Sequence, residues 1–375
     1  MISKTIDPFF ALVRSGLWEQ DVNLSSYGQI VYEEVLTLAE EQSLVGLITA
    51  GLEHVKDVRV PQKNLLQFIG EALQIEQKNK EMNEFVARFI EKLREEGVYA
   101  VMVKGQGIAQ CYELPLWRAC GDVDLFLSEE NYRKAKALLL PLGELSEPEE
   151  LKNHHLAIKI KGWIVELHGT LHCGLSKRID KVLDEIQREV FHEGHVRSWM
   201  NGNTQIFMLN EACNAVYVFA HILQHFYKGG IGLRQICDWC RLLWTYRESL
   251  NRRSLESQIK KAGLTSEWKA FAAFAIEYLG MPVEAMPLYN ENDNPNANLK
   301  RKAERIKEFI LVSGNFGHNR DMSYYDKYPY LIRKVISLGR RCSDLFNHIR
   351  IFPMDSLRFF PYMMFNGLRS AMRGE

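Results

Sequence analysis

The sequence has no excess of charge of either sign. Lys and Arg number 47, and Asp and Glu number 47, so the formal net charge at pH 7 is zero. This balance gives no overall electrostatic support for binding a long nucleic acid or an anionic membrane. The charge is unevenly placed, because residues 300–375 hold 15 Lys and Arg against 7 Asp and Glu. We therefore expect no long nucleic acid and no membrane as a partner, and a basic C-terminal region.

Disulfide spacing and long apolar runs are also missing. The seven cysteines are scattered without the pattern of a disulfide framework, which is typical of a reducing compartment. No stretch approaches the roughly 20 uncharged apolar residues of a membrane-spanning helix. Asp7 and Arg14 interrupt the apolar residues near the start, so no signal peptide is evident. These absences predict a cytoplasmic protein.

The hydrophobic pattern changes period along the chain and predicts an α+β fold with four regions. Residues 1–96 show helical spacing, clearest in the stretch before Gly97, which is placed to end a helix. Residues 97–175 contain apolar and alternating runs that predict about four strands. Residues 176–285 return to the spacing of a helical bundle, and residues 286–375 are basic, aromatic-rich and helical between prolines.

The string GDVDLFL places two aspartates one residue apart at the start of an apolar run. On a strand, Asp122 and Asp124 point to one face, while Val123 and Leu125 point to the other. Two adjacent carboxylates repel each other unless a cation lies between them. A divalent metal ion is the sharpest explanation, since hard cations take oxygen ligands. The alternative is an Asp-x-Asp pair on a turn or surface strand that holds no metal.

Two neighbouring motifs extend this pattern. The run HLAIKIKGWIVELH is typical of a hairpin that turns at its central Lys-Gly pair, with Glu166 and His168 on one face of the second arm. Before the aspartates, a buried strand is followed directly by the string KGQG, residues 104–107. Phosphoryl and nucleotidyl transfer use carboxylates that hold Mg²⁺. They also use a glycine turn that lets phosphates approach backbone N–H groups.

In this order, the strand, glycine turn, Asp-x-Asp and hairpin glutamate resemble the nucleotidyltransferase superfamily with the polymerase-β-like palm. The strings VKG, CYELP, WR, CGDVDLFL and IVELH are similar to a bacterial family of uncharacterised nucleotidyltransferases. The resemblance covers about residues 80–245. It implies a small palm-like mixed sheet flanked by extensive helical regions, Mg²⁺ or Mn²⁺ as cofactor and an NTP as donor. The implied reaction moves an NMP to an unknown small-molecule or protein acceptor and releases pyrophosphate.

The resemblance also assigns roles to residues. The implied metal-binding and catalytic carboxylates are Asp122, Asp124 and Glu166. The residues expected to bind the nucleotide are Lys104, Gly105, Gln106, Gly107 and Arg118. Gln106 departs from the family pattern, in which Ser or Gly follows the first glycine. This departure favours the alternative of a catalytically inactive nucleotide-binding or protein-interaction module on the same fold.

The cationic and imidazole side chains leave alternatives open. Arg118 suits a forked contact with phosphate, but it also suits a structural ion pair with the aspartates. His168 lies on the Glu166 face of the hairpin and is a possible cleft residue. Together with His172 and Glu166 it also suggests zinc, but His172 lies past Gly169, where we expect the strand to have ended, and zinc needs three or four convergent ligands. His221 and His225 are one helical turn apart. They are either partly buried histidines or residues that line the cleft. A metal-dependent hydrolase is a third possible function, although the sequence shows little of the His and Asp clustering that such sites need.

Overall fold

We describe the protein from a computed structural model, which covers residues 2–151, 153–290, 296–314 and 329–373. The fold is mixed α+β, with 63% of the chain helical and a seven-stranded mixed sheet. This confirms the predicted fold class. The division into four regions stays a prediction. In the part of the chain that the structure covers, no helix is both long and apolar enough to cross a membrane.

Four helices precede the sheet. They are α1 (Ile2–Trp18), α2 (Tyr32–Glu41), α3 (Val45–Glu53) and α4 (Gln62–Glu95). The long helix α4 follows the predicted amphipathic pattern and ends just before Gly97, whose φ of 68° is the left-handed conformation that often follows a helix.

The sheet combines strands from two separate stretches of sequence. The strands are β1 (Val101–Met102), β2 (Asp122–Phe126), β3 (Glu144–Leu145), β4 (His155–Ile160), β5 (Trp163–His168), β6 (Val196–Asn201) and β7 (Thr204–Leu209). Their spatial order is β3-β4-β5-β2-β1-β7-β6. β2 runs parallel to β5 and β1 runs parallel to β7, whereas the other neighbouring pairs are antiparallel. β2 and β5 are therefore neighbours near the centre of the sheet.

The remaining helices connect and surround the strands. They are α5 (Gly105–Ala109), α6 (Glu129–Leu139), α7 (Lys177–Phe191), α8 (Glu211–Lys228), α9 (Leu233–Thr245), α10 (Arg252–Ala262), α11 (Thr265–Leu279), α12 (Ala297–Ser313), α13 (Tyr330–Ile349) and α14 (Pro353–Arg373). α6 begins as predicted at Ser128, whose hydroxyl accepts a hydrogen bond from the Asn131 backbone N–H.

The helical pattern expected beyond residue 176 is wrong for residues 196–209, which form the β6–β7 hairpin. Gly202, with a φ of 59°, supplies the left-handed turn between the two strands. Along β7, buried Thr204, Ile206 and Met208 alternate with more exposed neighbours, which is a strand period of two. The expected count of about four strands is also too low, because residues 98–170 alone contain five.

The two faces of the central strands have different surroundings. Val123 of β2 and Val165 of β5 belong to a buried apolar cluster that also contains Phe85 of α4 and Tyr132 of α6. A second, larger cluster joins helices α1–α3 to α7–α12 and α14. The aspartates of β2 point away from the first cluster, as strand alternation predicts. The sheet is thus fixed on its apolar face and presents carboxylates on the other.

Helices α1 and α3 cross at two glycines. A Cβ atom added to Gly16 would lie 2.1 Å from the carbonyl oxygen of Leu47, and one added to Gly51 would lie 2.3 Å from that of Leu12. Real Cβ contacts are never this short, so the two backbones are close because these positions have no side chain. The crossing fixes the N-terminal helices on one another.

We expect Gly51→Ala to destabilise the protein by about 1–3 kcal/mol, the usual cost of forcing extra atoms into a packed contact. Gly70→Ala in α4 is the matched control, because nothing lies within 4 Å of its added Cβ. The control should be neutral or gain up to about 1 kcal/mol from the better helix propensity of alanine. Chemical denaturation of the three proteins measures these changes. Equal stabilities of the two variants would contradict the close crossing.

The buried carboxyl of Glu267 makes stability depend on pH. Glu267 on α11 has no solvent exposure, and burial together with the charge of Asp355 on α14 raises its pKa to about 8. In the unfolded chain this group ionises near its ordinary value of 4.5. Between these two values, the unfolded state loses the proton while the folded state keeps it. The stability contributed by this group is therefore present below about pH 4.5 and is lost as the pH rises towards 8.

We expect Glu267→Gln to remove this loss, so that its stability relative to wild type increases between pH 5 and pH 8. One unit of pKa difference corresponds to about 1.4 kcal/mol, and we expect a relative gain of more than about 1 kcal/mol. Denaturant titrations at several pH values measure it. Glu277→Gln, at an exposed position of the same helix, is the control. A relative stability of Glu267→Gln that stays flat with pH would contradict the raised pKa.

Candidate functional site

The glycine turn after β1 approaches the start of β2. Lys104 and Gly105 both have positive φ values, of 57° and 43°, and a Cβ on Gly105 would lie 3.5 Å from the carbonyl oxygen of Asp122. A lysine in this conformation is unusual and costs on the order of 1 kcal/mol. Gly107 lies close to β7, since a Cβ there would be 2.9 Å from the sulfur of Met208 and would displace that side chain. The turn thus holds the Lys104 backbone at the edge of the site.

The side chain of Gln106 lies in the core. It is 2% exposed, and its amide nitrogen contacts the sulfur of Met82 on α4. Its side-chain oxygen has no hydrogen-bond partner among the described residues. A phosphate contact at this position would therefore use the backbone of Gln106 rather than its side chain.

Three carboxylates meet where β2 and β5 run side by side. Their register pairs Asp122 with Ile164 and Asp124 with Glu166. One oxygen each from Asp122, Asp124 and Glu166 lies within 4.8 Å of the others. We call this set the acidic cluster. The structure thus brings together the three carboxylates that the sequence singled out.

Two side chains compensate the charge of Asp124, which is 2% exposed. Lys104 Nζ lies 2.7 Å from Asp124 Oδ1, and His168 Nε2 lies 2.8 Å from the same oxygen. Burial would lower the pKa of Lys104, but the charges of Asp124 and other nearby groups raise it above its ordinary value. Burial likewise opposes a charged His168, and its contacts with Asp124 and Glu166 raise its pKa nevertheless. Both groups therefore favour the cationic form beside Asp124.

The carboxylates respond differently to this environment. The negative charge of Asp124, followed by burial, raises the pKa of Asp122 to about 6. Burial also opposes ionisation of Glu166, but contacts with His155 and His168 and the charge of Lys104 hold its pKa well below its usual range. Asp122 is thus the carboxylate with the largest unrelieved repulsion in the cluster.

The acidic cluster fits a divalent cation. Its three carboxylates supply the hard oxygen donors that Mg²⁺ and Mn²⁺ take. The pKa of Asp122 is raised by the charge of Asp124 and by burial, and the charge of Lys104 offsets this only in part. A bound cation would relieve the repulsion between these carboxylates, so the ligand type and the electrostatics both favour a cation here.

Helix α8 contributes neutral imidazoles near the cluster. The Nε2 atoms of His221 and His225 lie 2.9 Å apart. Burial, followed by the positive charge of Lys104, lowers the pKa of His221 well below its ordinary value and that of His225 to about 4. Tyr217, one turn earlier, is also buried, and burial raises its pKa to about 12. These side chains are therefore uncharged groups within the electrostatic influence of Lys104.

Arg118 is held by a partner that the sequence did not indicate. It donates to both carboxylate oxygens of Asp238 on α9, at 3.1 and 2.6 Å, and the Tyr112 hydroxyl donates to the same carboxylate at 2.8 Å. The expectation that Arg118 pairs with the aspartates of β2 is therefore wrong about the partner. Both members of this pair are buried. The pair joins the segment that leads into β2 to the helix beyond α8.

Three contributors to the site were missed in the sequence. They are His155, Arg234 and Asp238. The position of His155 follows from the hairpin, because a turn at residues 161–162 places it opposite His168. Arg234 donates to the carbonyl oxygen of Ala119, and its charge lowers the pKa of Asp122. No sequence signal connects Arg234 or Asp238 to the strand more than 100 residues earlier.

A cavity of about 230 Å³ lies between α1, α3, α9 and the segment before β2. Its apolar walls include Leu47 and Trp117, and its charged residues include Glu53, Arg118 and Arg234. Arg234 thus borders the cavity and also acts electrostatically on Asp122. The cavity and the acidic cluster share this arginine.

We expect Asp238→Asn to destabilise the protein by about 3–5 kcal/mol, because it leaves the buried Arg118 guanidinium without its counter-charge. The matched control is Glu84→Gln, which breaks an exposed pair with Arg88 of 3.7 Å on α4. Such surface pairs contribute about 0.3–0.5 kcal/mol. Denaturant titration compares the two variants. A cost for Asp238→Asn as small as that of the control would show that the buried pair adds little to folding.

Comparison with known proteins agrees with this site. Residues 29–280 match the model of a family described as uncharacterised nucleotidyltransferase, a span that includes the whole sheet and the acidic cluster. No curated protein and no solved structure matches the chain. Because the match spans well over half of the 375 residues, the chain belongs to this family of uncharacterised nucleotidyltransferases.

Proposed function

We propose that the protein is a metal-dependent nucleotidyltransferase that moves an NMP from an NTP to an acceptor hydroxyl or amine and releases pyrophosphate. The observation that carries this proposal is the acidic cluster, in which Asp122, Asp124 and Glu166 converge from two adjacent parallel strands. Membership of a nucleotidyltransferase family supports the same reaction class. The acidic cluster lies within the residues that match the family and beside the glycine turn.

Asp122, Asp124 and Glu166 would hold Mg²⁺ or Mn²⁺. When bound, such an ion neutralises phosphate oxygens and stabilises the charge that develops in phosphoryl transfer. Lys104 supplies a fixed positive charge within 2.7 Å of Asp124, next to where the phosphates would lie. Gly105 has no side chain, so no Cβ covers the backbone of the turn at this residue.

The transfer itself requires an acceptor oxygen or nitrogen to bond to the α-phosphorus while the bond to the pyrophosphate oxygen breaks. The proton of the acceptor must go to a nearby base. We assign this role to Glu166, which is ionised and can accept a proton, although its lowered pKa makes it a weak base while its contacts with His155 and His168 persist. His221 and His225 on α8 are uncharged and face the same region, so we assign them to the wall of the cleft that receives nucleotide or acceptor.

A catalytically inactive nucleotide-binding or protein-interaction module is the second candidate. Two observations favour it. Gln106 replaces the small residue of the family turn and packs against Met82, and Asp124 is already paired with Lys104 and His168. A module of this kind would bind nucleotide without turnover, or bind another protein through the same fold.

We expect Mg²⁺ or Mn²⁺ together with at least one of ATP, GTP, CTP and UTP to raise the melting temperature of the wild-type protein. At a hundredfold excess over Kd, binding stabilises the folded state by about 2.7 kcal/mol. Asp122→Asn should abolish the rise, because it removes a carboxylate from the acidic cluster. The control is Asp184→Asn, at an exposed aspartate paired with His172 rather than with the cluster. No shift with any nucleotide would sink the donor-binding proposal.

Release of pyrophosphate then separates the two candidates. With the nucleotide that gives a shift, incubation with panels of hydroxyl- and amine-bearing acceptors should give pyrophosphate in wild type and in Asp184→Asn. Asp122→Asn and Glu166→Gln should lower the rate at least about a hundredfold, the lower end of the effect of a positioned acid–base group. A metal-dependent shift without turnover, for every acceptor class tested, would favour the inactive module.

A further inference from the structure

A second group of ligating side chains adjoins the acidic cluster. The hairpin register places His155 of β4 directly opposite His168 of β5, and Glu166 lies two residues before His168 on the same face. One ligating atom from each of His155, Glu166 and His168 lies within 4.8 Å of the others. We call these three residues the imidazole set.

The geometry of the imidazole set is centred on one carboxylate oxygen. His155 Nε2 lies 3.2 Å from Glu166 Oε2, and His168 Nε2 lies 3.4 Å from the same oxygen. The two imidazole rings are 4.8 Å apart between their centroids. All three side chains are between 13% and 25% exposed, so the set is shielded but reachable from solvent. Two nitrogens and one oxygen therefore converge on a small volume.

The donor chemistry distinguishes this set from the acidic cluster. Two imidazoles and one carboxylate form a donor group that suits zinc and similar first-row transition metals, whereas carboxylates alone suit Mg²⁺. Three protein ligands also match the number at zinc sites that keep one position open for water or a substrate oxygen. The neighbouring strands β4 and β5 hold the ligands in place. Metal binding requires His168 Nε2 to release its proton and exchange its contact with Asp124 Oδ1 for the metal.

We propose that His155, Glu166 and His168 form a second metal site, which takes a transition-metal ion of the Zn²⁺ and Co²⁺ class. The site shares Glu166 with the acidic cluster and uses imidazole nitrogens that the cluster lacks. Two of its three ligands lie outside the acidic cluster, so its occupation can be measured without NTP. If both sites are filled, Glu166 lies between two cations.

The first experiment is calorimetric titration of metal-free, full-length wild type with Zn²⁺ in the presence of saturating Mg²⁺. We expect one Zn²⁺ to bind despite the Mg²⁺. His155→Asn should weaken this binding at least about tenfold, because even the loss of an outer partner of a metal ligand costs 10- to 100-fold. Asparagine still offers an amide to Glu166 but no imidazole nitrogen. His172→Asn is the matched control, since His172 pairs with Asp184 outside the set.

Imidazole ¹⁵N resonances of wild type provide a second readout of metal binding. One equivalent of Zn²⁺ should move the Nε2 signals of two histidines, whose assignment comes from His155→Asn and His168→Asn. If no imidazole signal moves, or if His155→Asn binds Zn²⁺ as tightly as wild type, the proposal is overturned.

Asp122→Asn separates this proposal from the proposed function. It should keep the Zn²⁺ site while losing the melting shift with Mg²⁺ and NTP. Zn²⁺ binding that disappears in Asp122→Asn and persists in His155→Asn would place the ion in the acidic cluster and overturn the second site. Failure of the NTP shift in wild type, with Zn²⁺ binding intact, would overturn only the proposed function.

Discussion

Three carboxylates lie close together at one point of the sheet, and the contacts that compensate their repulsion determine the rest of the site. Parallel pairing of β2 with β5 forces Asp124 beside Glu166, and strand alternation adds Asp122 to the same face. Lys104 and His168 both contact Asp124. The charge of Lys104 lowers the pKa of Asp122, but the charge of Asp124 and burial still raise it to about 6. The remaining negative charge is the electrostatic basis on which we propose a cation at the cluster.

The surroundings of the cluster are rigid for a different reason. A buried, forked ion pair between Arg118 and Asp238 fixes the segment that leads into β2 against α9. The same segment also receives a hydrogen bond from Arg234. The first aspartate follows this anchored segment after only a few residues, so its position is set by contacts with helices far along the chain. Removal of one member of the pair is expected to affect the site as well as stability.

Local patterns predicted the parts of the site that depend on local geometry. Alternation along β2 placed Asp122 and Asp124 on one face, and the hairpin placed Glu166 on β5. The position of the hairpin turn also determines that His155 pairs with His168, a contact that the sequence analysis does not include. The partner of Arg118 could not be predicted, because Asp238 is 120 residues away and no local spacing indicates so distant a contact. The β6–β7 hairpin was missed because an amphipathic helix precedes it and another follows.

The order of the strands has a consequence for how the chain reaches its native state. β1 contains only two residues and lies between β2 and β7, and its parallel partner β7 begins about 100 residues later in the sequence. The sheet therefore cannot close on this side until residues 204–209 have been synthesised. Long-range parallel pairing is slow to form, because loop-closure entropy must be overcome before the contacts stabilise the fold. During synthesis on the ribosome, we expect the carboxylates of β2 and β5 to be paired before β7 completes the sheet.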